Sequence, residues 1–194
     1  MSGSMIERES AQEFFRELVD DALIHQGLSA QDLTACYVVQ MLAGFVERQP
    51  DEECSVPLAV RLVRALAAGG ARQRTSMRRL GDESLFTSGF FSDSLRRSLV
   101  DVDYYVGIGV RAYLWLSRVE AGHMAPVFAE LATKFDGFVD VISEVSERSS
   151  CTSNHDLLRL YERWLMTRSS HTGRLLVERG LAPNISLLSS NRVQ

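Results

Sequence analysis

An all-α fold is what this chain predicts: a single compact helical-bundle domain of six to eight helices around two fully apolar central helices. Three observations lead there. Apolar residues recur at helical spacing, and no stretch alternates with the period of two that a strand would show. Capping residues and glycines punctuate the chain at helix-length intervals. Two stretches, 33–46 and 102–116, are almost free of charge, the pattern of a helix buried on every side.

The composition agrees. Of 194 residues, 45% are apolar and 24% charged, which is enough to build a core and too apolar for a disordered chain. A net charge of −4 gives the molecule as a whole no attraction for nucleic acid or anionic lipid. No apolar run reaches the ~18 residues of a membrane span. MSGSMIERES contains no apolar leader, and Ser2-Gly3-Ser4 ahead of Met5 reads as an added remnant. Cys36, Cys54 and Cys151 form no Cys-x-x-Cys pair, so neither a disulfide framework nor a zinc cluster is indicated, and a cytoplasmic setting is expected.

In chain order, residues 1–9 are expected to be disordered, 10–181 to form the helical domain and 182–194 a polar tail. Ser10 and Glu13 form a capping box ahead of Phe14, Leu18 and Ala22, and Gly27 ends that helix. Ser29 and Asp32 open the charge-free helix 33–46. Gln49 to Glu53 make a loop. Pro57 suits the first turn of the next helix, in which Val60, Val63 and Ala67 share a face and Arg61 and Arg64 lie off it. Gly69–Gly70 breaks it, and the basic ARQRTSMRRL continues as helix. Gly81, Ser84 and Ser88 lie three and four apart, forming a groove of small residues if Gly81 is inside a helix, or a boundary if Asp82 caps a new one. Ser92 or Asp93 begins a short helical turn through Leu99. Asp101 or Asp103 opens the second apolar helix, which Gly122 closes. Pro126 starts another, with Val127, Phe128, Leu131, Phe135, Phe138, Ile142 and Val145 on one stripe. After the serine-rich loop near Cys151, Asn154 or Ser153 caps a helix bearing Leu157, Leu160 and Trp164, and His171 to Arg179 make a last short one.

The stretch 81–115 holds seven of the sixteen Phe, Trp and Tyr residues and concentrates the candidate site residues. Asp82, Glu83, Phe86, Phe90, Phe91, Arg96, Arg97, Tyr104, Tyr105, Arg111 and Tyr113 mix rings, small side chains and charge, as a ligand pocket, a subunit interface or a core would. Arg111 stands in an otherwise apolar helix. A guanidinium keeps its charge, so it needs an acid, with Asp82 or Glu83 the expected partner, or its stem must carry it to water. A second set, Arg72, Arg74, Arg78 and Arg79, belongs to a run from Arg61 to Arg79 with six arginines and no acid, whereas the first 53 residues hold 11 acids against three arginines. That asymmetry fits contact between acidic and basic faces within the fold or between subunits. Phosphate binding to nucleic acid is the weaker reading.

Catalytic and metal-binding patterns are thin. Glu120-Ala-Gly-His123 has the Glu-x-x-His spacing of a carboxylate-bridged metal site, but such sites use the motif twice and only one copy is present. His155–Asp156 is followed by no further Asp to complete a phosphohydrolase ligand set. Gly107-Ile-Gly109 lies inside an apolar helix without a preceding strand, so close packing by a backbone or a ring is its expected use. No catalytic residue, metal ligand or cofactor is assigned. The expected function is that of a non-catalytic cytoplasmic regulatory or adaptor domain that contacts protein and self-associates as a homodimer. The alternative is a small-ligand-binding protein or enzyme with an aromatic pocket near residues 82–115. An arginine-dependent nucleic-acid-binding regulator comes third.

Overall fold

Helix after helix forms where the apolar spacing requires it. In a computed structural model, the described residues are 3–47, 56–91 and 102–149, with side chains described over 11–45, 56–91 and 102–149. They form seven helices and no strand: α1 (Gly3–His25), α2 (Asp32–Glu47), α3 (Leu58–Ala67), α4 (Gly70–Phe90), α5 (Val102–Val119), α6 (Met124–Thr133) and α7 (Phe135–Ser149). The architecture is a compact all-α bundle. Arg96, Arg97, the turn expected through Leu99, the loop from Gln49 to Glu53 and the helices expected after Cys151 lie outside the described residues.

The stops are chemical. Gly27, Gly70 and Gly122 all take positive φ, between 61° and 68°, the left-handed region where a side chain is penalised. Gly27 turns the chain from α1 into α2, Gly70 reverses it from α3 into α4, and Gly122 does so from α5 into α6. α1 begins at Gly3, upstream of the Ser10 cap expected, because nothing between Met5 and Ser10 breaks a helix.

α4 is the axis. It packs against α5, α7 and α3, while α6 lies on α5, and α1 lies on α2 and α7. Gly81 does not end a helix, since α4 runs straight through it. The small residues on α4 let its neighbours close in. A Cβ on Gly81 would sit 2.6 Å from Cε1 of Tyr113 on α5, and one on Gly89 would sit 2.6 Å from Cβ of Ile142 on α7. The aromatics of α4 fill the space beside it. Phe86 stacks on Phe45 of α2 with centroids 4.2 Å apart, and Phe90 and Phe91 close the cluster.

Two expectations about individual helices need correction. α2 is not enclosed on every side: Val38, Val39, Met41, Leu42 and Ala43 are buried, but Leu33 is 53% exposed and Gln40 faces solvent. A charge-free helix at the rim of a bundle needs only one apolar face covered, and α1 and α6 cover it. α3 is turned the other way round from its hydropathy. Leu58, Arg61 and Ala65 face inward, while Val60, Val63 and Leu66 are exposed. The stripe from Val127 to Val145 is buried as its spacing implies, although the helix is interrupted at Lys134. Lys134 leaves the helical path (φ −112°, ψ 25°) and donates from Nζ to the carbonyl oxygen of Ser29 at 2.6 Å and to Glu130 Oε1 at 2.9 Å.

Candidate functional site

Two polar assemblies flank α4, one on each side. The first is buried and centres on Asp82. Tyr113 of α5 donates its hydroxyl to Asp82 Oδ1 at 2.9 Å, and Tyr37 of α2 donates to the same oxygen at 2.5 Å. One carboxylate therefore joins three helices. Tyr113 has no exposed surface, and this burial, reinforced by the neighbouring Asp82 charge, pushes its phenol pKa well up, so the hydroxyl stays a donor. One turn earlier on α4, Arg78 lays its guanidinium over the rings of Tyr37 and Phe128, 5.7 and 5.2 Å from their centroids. Phe128 in turn stacks on Tyr113 at 5.8 Å.

The second assembly lies between α3 and α4, which run antiparallel as a hairpin. Arg61 is 9% exposed, and its Nη1 donates to Glu83 Oε2 at 2.7 Å. Beside this pair is a cleft of about 430 Å³. Arg61, Arg64, Ala65, Ala67 and Ala68 line it from α3 and its end, and Arg72, Ser76 and Leu80 from α4. Near the open end of the hairpin, Tyr104 of α5 accepts the backbone N–H of Ala59 on its hydroxyl at 2.9 Å. Tyr104 and Tyr105 are half-buried and meet edge to face. Burial raises the Tyr105 phenol, with Tyr104 and Glu83 adding to the rise.

The sequence candidates separate accordingly. Phe86, Phe90 and Phe91 are buried and packed on one another, so they belong to the core. Asp82 and Tyr113 come together around a shared hydrogen bond. Glu83 turns to the other side and meets Arg61. Arg111 does not pair with Asp82 or Glu83: those acids bond to the tyrosines and to Arg61, and Arg111 is exposed, its stem carrying the charge to water. The reason is rotation about α5. Ala112 and Tyr113 lie on the buried face, and Arg111, about 100° from Ala112 and about 160° from Tyr113, falls outside it.

The basic candidates do not form one face either. Arg72 lies in the cleft on the α3 side, whereas Arg78 stacks over Tyr37 and Phe128 on the α2 and α6 side. Their six-residue separation turns them about 120° apart around the helix. Arg64, Arg61 and Ser76 were not singled out by sequence. The spacing of Val60, Val63 and Ala67 puts Arg61 and Arg64 off the face those three share. The available signal was the position of these two arginines in the same acid-free run as Arg72.

Among the described residues no three of His, Cys, Asp and Glu gather as a metal site, and no helix is long and apolar enough to cross a membrane. No family model, curated protein or solved structure matches the chain.

Proposed function

We propose that this protein is a non-catalytic helical adaptor acting through protein contact, first with a second copy of itself. The observation that carries the reading is the inverted amphipathicity of α3. Val63 is 66% exposed, with Val60 and Leu66 one turn to either side, while Arg61 occupies the inward face. Three branched aliphatic side chains in a row on a solvent-facing helix are the kind of apolar patch that a partner covers.

The partner chemistry is suggested by α1. Its outward stripe runs Phe14, Glu17, Asp21, Ile24, with Glu13 and Asp20 beside it, and Ile24 is 80% exposed. This face is acidic with apolar points. The α3–α4 face is apolar with Arg64 and Arg72 exposed around it. The two helices are not packed on each other within one chain, so a second copy can bring them together with complementary charge.

Sedimentation at micromolar concentration should give more than monomer mass, with less association at high salt because the rim charges are screened. Val63→Glu changes an exposed residue and should yield a folded monomer. Monomer mass for the unaltered chain at every concentration and salt would overturn the reading.

A further inference from the structure

We infer that the cleft between α3 and α4 is a binding site for the phosphate group of a small organic ligand. The argument begins with charge. Arg61, Arg64 and Arg72 all line the cleft, and among the described residues the carboxylate that meets them is Glu83, bonded to Arg61. Three guanidinium groups against one carboxylate leave two positive charges. A phosphate monoester carries about 1.5 to 2 negative charges at neutral pH, whereas a simple carboxylate carries one, so the monoester is the closer match.

Geometry adds to this. Arg61 is more than nine-tenths buried and is held in place by its 2.7 Å bond to Glu83. That contact uses one terminal nitrogen of a group with five N–H donors, so Arg61, which lines the cleft, keeps further donors. Arg64 and Arg72 make no hydrogen bond or ion pair among the described residues. Approaching from opposite walls, they offer the planar fork that grips a phosphate through two parallel hydrogen bonds. Ser76 supplies a hydroxyl on the α4 wall.

The remaining lining is apolar. Ala65, Ala67, Ala68 and Leu80 make a small-residue surface on which the carbon body of a ligand can lie. The volume of about 430 Å³ falls within the ~300–1,000 Å³ typical of small-molecule sites. The hairpin also joins the C-terminal end of α3 to the N-terminal end of α4. Their dipole charges, about half a unit each and opposite in sign, offset one another, so the arginines set the polarity.

Phosphate of this kind comes free on a soluble ester or on a lipid headgroup, and the test separates the two. The full chain is titrated calorimetrically with AMP and with inorganic pyrophosphate, and separately mixed with phosphatidylcholine vesicles containing phosphatidic acid. Saturable one-to-one binding of a soluble probe is expected, weakened roughly 10- to 100-fold by Arg64→Gln or by Arg72→Gln, the range for losing hydrogen bonds to a charged group. Both positions are exposed, so circular dichroism should find the variants folded. Arg118→Gln, at an exposed position on α5 outside the cleft, should bind as the unaltered chain does. Binding to the acidic vesicles alone, lost on Arg72→Gln, would assign the same site to a lipid headgroup. No saturable binding of any probe, binding that survives both cleft substitutions, or equal weakening by Arg118→Gln would overturn the inference.

Discussion

Gly107 and Gly109 sit two residues apart on the same helix and face opposite conditions. A Cβ added at Gly107 meets nothing within 4 Å. A Cβ at Gly109 would lie 2.6 Å from Cε2 of Phe135 and 2.9 Å from Cβ of Ser84. Both glycines are inside α5, so each alanine substitution gains about 1 kcal/mol of helix propensity. For Gly107→Ala that gain stands alone. For Gly109→Ala the methyl must enter a packed core, which typically costs about 1–3 kcal/mol. The upper end applies, because the Phe135 ring is buried and the Ser84 Cβ is fixed to α4, against which α5 is already pressed. The two variants should therefore differ by about 3 kcal/mol, equivalent to roughly 6–12 °C in Tm at ~2–4 °C per kcal/mol for a domain of this size. Thermal and urea unfolding followed by circular dichroism measures it. Phe135→Leu in the Gly109→Ala background should recover part of the loss, giving a non-additive cycle. A Gly109→Ala protein that melts at or above the Gly107→Ala protein would refute the close approach of α5 to α4 and α7.

The remaining expectations concern charge. Burial pushes the Glu130 carboxyl up, but hydrogen bonds from Lys134, Thr34 and the Gln31 backbone N–H outweigh it and hold the group below the ordinary glutamate value. Glu144 is lowered in the same way, burial being outweighed by Gln26, His25 and Arg148. A depressed carboxylate contributes stability that is complete above its unfolded pKa and is lost as pH falls through the folded one. Urea midpoints should therefore drop as pH is lowered below the ordinary glutamate range, and Glu130→Gln should lower stability at neutral pH while flattening that fall; an unchanged slope would contradict the assignment. Arg111→Met should change stability by less than about 0.5 kcal/mol, as an exposed residue does, whereas Arg61→Met should cost about 3 kcal/mol by stranding Glu83 in a largely buried pair. Equal losses in chemical denaturation would put Arg111 back in the interior.

Much of the architecture was legible because periodicity and punctuation are local. The helix openings at Asp32 and Pro57, the stops at Gly27, Gly70 and Gly122, and the buried stripe from Val127 to Val145 all depend on neighbours within a turn or two. What could not be read was rotation about each helix axis, which distant partners decide. Val60 and Val63 look like the inward face of α3 until Glu83 on α4 draws Arg61 in. Asp82 and Glu83 are adjacent, yet α4 sends one to tyrosines of α2 and α5 and the other to α3. Gly81 has a helix-ending composition, and only the approach of Tyr113 shows why a glycine is kept in the middle of α4. The candidate cleft was hidden for the same reason: its arginines are close in sequence, but which of them face one another depends on how the hairpin folds back.

The shared carboxylate of Asp82 has a consequence for how the molecule opens. Because α2 and α5 both donate to it, moving either away from α4 breaks a hydrogen bond to a buried carboxylate. These three helices should lose amide-exchange protection together, as one cooperative unit near the global unfolding free energy. α3 is outside that unit. It is tied to the rest by Arg61–Glu83 and the Ala59–Tyr104 bond and has an exposed aliphatic edge. Its amides should exchange sooner, through an excursion in which α3 swings from a bundle that stays folded. One wall of the arginine cleft is then slow to exchange and the other fast, so the gap between them can widen or close without the core being disturbed.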